Sequence, residues 1–451
     1  MNKLLRNILP LLVASILVAC GGTPTATSTP TTETVAEATV AAPTEVVAAT
    51  DEPTTVATSE PVTGTVEPTT ETAEPASAPI AGGAGTELSD EELTAALQET
   101  ADLWGQAFAD ADPELLVQAI DPKSPSLLRT QQARLKTISE SIGASTREWN
   151  GEIVNITRRE HGYVQAHVDT GDIRRGFTFK EVNGKWLLSE PTRAELGKRV
   201  KVETDHFIIQ YYPWDQAISD EIIEMMEEVH TTITDKLGTG PDTKSLVQLI
   251  PTYQAAPGLS SGNYLAFYRR GSGARLGSKE MVINTPDSFG FGAYDGAAGW
   301  QADLEATLAH EYVHLVNDCC FTPIARMNDW MIEGFAEHIS DGPISRQGEV
   351  ALAVQNDAII PIQDTSGERV EKQDLEHLTL LDQDISLAYG LSSSLVNYIV
   401  ENYGGLDGWW KLIGDFDQTQ NFDQSLQNVL GITLAEFEQG WKDDLKQRYG
   451  G

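Results

Sequence analysis

Residues 310–314 read His-Glu-Tyr-Val-His, two imidazoles four positions apart with a carboxylate directly after the first. They lie in the run ADLEATLAHEYVHLVND (302–318), where Leu304, Leu308, Val313 and Leu315 supply the apolar positions of a helix. Four residues are slightly more than one helical turn, so His310 and His314 project from one face and can share one metal ion. Glu311 lies about 100° around the helix from His310, which frees it to act as a general base instead of a ligand. That is the equipment of metal-assisted hydrolysis with Zn²⁺ as the expected ion, one per chain. His161, His167, His206, His230, His338 and His377 have no comparable partners in the sequence. Cys319 and Cys320 are adjacent, as two free thiols or as a strained bridge between neighbours, and the two histidines are better zinc ligands.

A third ligand is needed, and eighteen residues separate His314 from Glu333. The first helix must end, the chain must turn, and a second helix must present Glu333. Asn317-Asp318 and Thr322-Pro323 are the expected breakers. The segment Trp330-Met331-Ile332-Glu333-Gly334-Phe335-Ala336-Glu337 resembles the second signature of the gluzincin zinc metallopeptidases, whose aminopeptidase branch uses the same spacing. The resemblance implies that Glu333 completes the ligand set. It also implies that Glu337, one turn further on, accepts the second ring N–H of a zinc-bound histidine and fixes its tautomer. Ala388 to Tyr398, opening a helix that runs to Tyr403-Gly404-Gly405, is similar to the gluzincin segment that carries an oxyanion-stabilising tyrosine. Tyr389 occupies that place, whereas Tyr398 reads as core beside Leu395 and Ile399.

The likeness, closest to the bacterial peptidase-MA-like branch, spans roughly residues 200–451. It ends in the helix-packing positions Trp409-Trp410, Phe422 to Val429, Leu434, Phe437 and Trp441. The Gly-x-Met-Glu-Asn strand by which aminopeptidases anchor a free amino group has no counterpart before His310. Met281-Val282-Ile283-Asn284 is expected to supply the edge strand for substrate without that glutamate.

The elements that must hold this site follow from composition. The 451 residues carry 67 acidic against 31 basic side chains, a net charge of −36. With no Lys/Arg stripe this excludes nucleic acid as a partner and suits a solvent-facing surface. Residues 1–20 combine Lys3 and Arg6 with an apolar run too short for a comfortable span, and read as an export signal. The run closes in Leu17-Val18-Ala19-Cys20, which resembles a bacterial lipobox. That implies cleavage before Cys20 and lipidation of its thiol, hence an extracytoplasmic, lipid-anchored protein. The alternative is an ordinary signal peptide with an incidental cysteine. Residues 21–86 are Thr, Pro, Ala, Val, Glu and Ser-rich with no aromatic, Lys or Arg. They are expected to be a disordered linker spanning roughly 45 Å.

Order should begin at the capping box Ser89–Glu92, ahead of Leu93, Leu97, Leu103, Trp104 and Phe108. A second helix starts at Asp112-Pro113 and a third lies around Gln131 to Ile142. Alternation then takes over through Trp149, Ile153, Ile156, Tyr163, Ala166, Val168, Ile173, Phe177, Phe179, Trp186 and Leu188, with a hairpin turn at Asn183-Gly184. Residues 87–197 thus form an α+β domain that resembles the nuclear transport factor two superfamily, whose cone often holds a pocket. Residues 198–451 form a mostly helical gluzincin-type domain with a small sheet: a strand from about Lys201 through Phe207, Ile209 and Tyr211, a helix from about Ala217 to Leu237, the strand Ser245–Pro251, a Gly-rich loop over 258–277, and mainly helix after Ala302.

The function expected is a membrane-anchored, zinc-dependent peptide hydrolase acting on a peptide or protein. Its rival is a non-catalytic surface lipoprotein that binds a ligand through residues 87–197 and keeps the zinc fold as scaffold; intact Glu311 and Tyr389 count against that. A metal-dependent hydrolase of a non-peptide substrate is a third reading.

Overall fold

The computed structural model describes residues 88–142, 151–169, 174–253, 266–270, 279–285, 300–322, 326–341, 344–363, 374–380 and 385–450. The export signal with Cys20, the linker 21–86, Trp149, Ile173, Pro323 and most of the Gly-rich loop lie outside them.

Helix α1 (Asp90–Asp110) begins on the expected capping box. Ser89 Oγ accepts the Glu92 amide at 3.2 Å and the Glu92 carboxylate takes the Ser89 amide at 2.9 Å. Asp112 caps α2 (Pro113–Ala119), with Pro113 in the first turn, where its missing N–H costs nothing. Helix α3 (Pro125–Ile142) starts six residues before the expected Gln131, because Pro125 is itself a helix-starting residue. The strands β1 (Glu152–Arg158), β2 (Tyr163–Asp169), β3 (Arg174–Val182) and β4 (Lys185–Leu188) form an antiparallel meander in chain order. Asn183 and Gly184, with φ of 54° and 78°, close the last hairpin in the doubly left-handed turn that matches strand twist. Register slips between Val154 and Thr157, where Asn155 takes a φ of 52°, a bulge that bends β1. Leu93, Leu97, Trp104, Ile153, Val164 and Phe179 fill the core between helices and meander.

The second sheet has five strands in the order β5-β6-β7-β9-β8: β5 (Val200–Glu203), β6 (Phe207–Tyr211), β7 (Ser245–Ile250), β8 (Ala266–Arg270) and β9 (Lys279–Asn284). The single strand expected from Lys201 to Tyr211 is two, folded back antiparallel across Thr204–His206. Strands β6 and β7 are parallel, so a crossover must join them, and α4 (Gln216–Leu237) supplies it. Strand β8 lies inside the stretch expected to be loop. It takes the end position, and β9 sits between β7 and β8. Residues 281–284 are therefore an interior strand and not the edge. Met281, Val282 and Ile283 are all fully buried, as a strand covered on both faces requires.

Helices follow: α5 (Trp300–Cys320), α6 (Asp329–Ile339), α7 (Ile344–Gln355), α8 (Ile385–Asn402), α9 (Gly405–Thr419), α10 (Phe422–Leu430) and α11 (Leu434–Tyr449). The chain is thus mixed α+β with two small sheets. No described helix is long and apolar enough to cross a membrane. Cys319 and Cys320, at the end of α5, are joined by a disulfide.

Glu195 braces the meander. Its carboxylate receives Lys180 at 2.6 Å, the Tyr163 hydroxyl at 3.0 Å and the Thr192 amide at 2.9 Å. Partial burial pushes its pKa up, but these bonds outweigh burial and lower it from 4.5 to about 2. A carboxylate depressed on folding stabilises the native state above its unfolded pKa, and that contribution drains away as pH falls toward the folded value. Glu195→Gln is therefore expected to lower the melting temperature at pH 7, with the gap to wild type closing between pH 4.5 and about 2. Thermal melts across that range check it; a gap independent of pH would show the brace is not ionic.

Candidate metal centre

Helix α5 carries His310, Glu311 and His314, and α6 carries Glu333 and Glu337. Asn317 and Asp318 do not break α5, which runs on to Cys320. Both are buried and engaged elsewhere: Asp318 accepts the Tyr268 hydroxyl at 2.6 Å, and the Asn317 amide reaches Met327. The aromatic residues around Glu333 fix α6 against α9. Phe335 stacks on Trp409 at 5.4 Å, and Trp330 meets Trp409 and Phe422 edge-on.

The expected ligands converge. His310 Nε2 lies 3.1 Å from His314 Nε2 and 3.1 Å from Glu333 Oε2, and His314 Nε2 lies 3.3 Å from the same oxygen. Three donors each about 2.05 Å from one ion at tetrahedral angles would stand about 3.3 Å apart, so the triangle matches a zinc-sized ion with a fourth position left open. The donor set also fits: two imidazole nitrogens and a carboxylate oxygen, all buried, facing one another. Glu337 Oε1 lies 2.9 Å from His310 Nδ1, on the far side of the ring from the triangle. The group can therefore hold a metal ion.

Glu311 is excluded from the triangle and fully buried beside it. Its Oε2 accepts the Tyr268 amide at 2.6 Å, which brings β8 up to Glu311. Burial is the largest influence on Glu311 and raises its pKa, against the opposing pull of His314 and His310. Burial favours neutral His310, but Glu333 and Glu337 together outweigh it and hold its pKa up to about 10. Glu333 goes the other way: burial pushes it up, and the two imidazoles carry it below the ordinary carboxylate range.

Tyr389 also arrives at the centre, its ring 6.0 Å from that of His310. It lies inside α8, one turn past the start at Ile385. The approach of α8 to α6 depends on Gly334. A Cβ there would collide with the Ser392 carbonyl, so the glycine after Glu333 is a packing requirement of the site. Tyr398 is half-buried against Phe437 and Tyr403.

Two participants escaped sequence reasoning. Tyr268 belongs to a five-residue strand hidden in Gly-rich sequence, though its Phe-Tyr-Arg-Arg run was a weak strand signal. Arg346, on α7, forms an ion pair with Glu337, and no spacing rule connects a residue nine positions on across a turn. Comparison of the chain with protein-family models and with curated proteins returned no match.

Proposed function

We propose that the chain is a zinc-dependent peptide hydrolase of the gluzincin type, exported and held at the membrane through lipidated Cys20 with residues 21–86 as tether. The observation that carries this reading is the ligand triangle of His310, His314 and Glu333 with Glu311 buried beside it and outside it. In it, residues 198–451 are the gluzincin-like catalytic part and residues 87–197 a cone-like domain of the nuclear transport factor two type.

His310, His314 and Glu333 would hold the zinc, which when bound would supply Lewis-acid chemistry, polarising a carbonyl and lowering the pKa of water. Glu311 takes the proton at its carboxylate and later hands it to the leaving amine. Tyr389 directs its hydroxyl to the oxygen on which charge develops. Glu337 fixes His310 through Nδ1, so that Nε2 keeps its lone pair for the ion. Strand β8, last in the sheet and tied to Glu311 through Tyr268, takes over the docking role expected of residues 281–284.

The test is metal analysis of the purified chain, with cleavage of a mixed peptide library followed through chelation and zinc replacement. About one zinc per chain with chelator-sensitive cleavage supports the reading. Zinc without cleavage of any peptide would move the choice to the ligand-binding lipoprotein or to a non-peptide substrate. A chain that takes up no zinc would end it.

A further inference from the structure

Glu337 and Tyr389 stand on different helices, α6 and α8, and a single side chain from α7 touches both. The Arg346 guanidinium is ion-paired with Glu337 Oε1, the same oxygen that lies 2.9 Å from His310 Nδ1. Its Cζ also lies 4.7 Å from the centre of the Tyr389 ring. The contact is enclosed, with side-chain exposures of 14% for Arg346 and 4% for Glu337. It is also built into the backbone packing. A Cβ on Gly390, next to Tyr389, would come within 2.8 Å of Val350 Cγ2 and 3.0 Å of the Arg346 carbonyl, so a bare α-carbon is what lets α7 lie this close to α8.

We propose that Arg346 is a positioning residue that couples the metal side of the centre to its oxyanion side, a role that rests on the zinc-peptidase reading above. A histidine that binds metal through Nε2 turns its Nδ1 side to Glu337, so the place of that carboxylate oxygen sets the orientation of the ring. Arg346 is ion-paired with the same Glu337 oxygen and so pins it beside His310 Nδ1. The flat guanidinium meanwhile lies against the phenol ring and limits how Tyr389 can turn. One cation thus sets the orientation of a ligand and of the oxyanion donor. Lysine can replace its charge but not its flat, forked face.

The test compares the full chain with Arg346→Met and Arg346→Lys. Zinc affinity is read by chelator competition, ligand geometry from the visible spectrum of the cobalt-substituted protein, and kcat and KM on whichever library peptide is cut. Arg346→Met is expected to bind zinc about 10–100-fold more weakly, with altered cobalt bands. Arg346→Lys, which keeps the counter-charge and so the folded centre, should recover most of that affinity and the wild-type bands, with kcat still lowered and KM kept. Wild-type zinc affinity in Arg346→Met, affinity in Arg346→Lys as weak as in Arg346→Met, or a wild-type kcat in Arg346→Lys would overturn the proposal. A wild-type chain that binds zinc but cuts no peptide removes the peptidase reading and leaves the zinc and cobalt measurements to judge Arg346. A wild-type chain without zinc affinity overturns both.

Discussion

Glu333→Gln is expected to weaken zinc binding on the order of 10³-fold, the largest single effect on the metal open to a conservative change at this site. The amide keeps the shape and one oxygen, but it removes the only anionic donor among three ligands facing a divalent cation. It also removes one of the two carboxylates that hold His310 protonated up to about pH 10 without metal, so the apoprotein loses a buried ion pair as well. These two consequences separate on heating. In excess zinc the variant forfeits the stabilisation that tight binding gives, about 4 kcal/mol for a 10³-fold difference. With chelator present that component vanishes from both proteins, and whatever difference is left measures the lost His310–Glu333 pairing. Chelator competition and paired melts provide the measurement. Wild-type zinc affinity in the glutamine variant would mean that the ion, if one binds, sits elsewhere.

How far such residues can be read without a structure depends on whether local geometry governs them. His310 and His314 share a helical face by spacing alone, the Ser89–Glu92 box is a contact between residues three apart, and the Asn183-Gly184 turn is set by two backbone angles. Asn317 and Asp318 show where this fails. Their preference for ending helices is worth well under 1 kcal/mol each, and it yields to burial against Tyr268 and Met327. The place of β9 in its sheet was half-written in Met281-Val282-Ile283, since an unbroken apolar run suits an interior strand, but β8 had to be paired with it before the edge was known. Glu333 and Tyr389 were visible through the likeness of their flanking residues to one protein class. Arg346 carries no such flanking pattern, and its role comes only from the packing of α7 on α8 and the reach of its side chain to Glu337 on α6.

Glu311→Gln is expected to lower kcat by about 10²–10⁴-fold while leaving zinc affinity and KM close to wild type. Glu311 contributes no atom to the triangle, so the metal has no reason to leave. A glutamine oxygen can still accept the Tyr268 amide that now bonds Oε2 at 2.6 Å, so β8 should stay where it is. What disappears is the group able to take up and return a proton. The same substitution should leave the melting temperature unchanged or raise it, because a fully buried carboxylate whose pKa burial has raised is costly to keep ionised at neutral pH, and an amide carries no such cost. Loss of turnover with retained zinc and undiminished stability is therefore the combined signature of a base held in a site that works against its own charge. Turnover at the wild-type rate would put the base elsewhere, and loss of zinc would make Glu311 a ligand, which its bond to Tyr268 argues against.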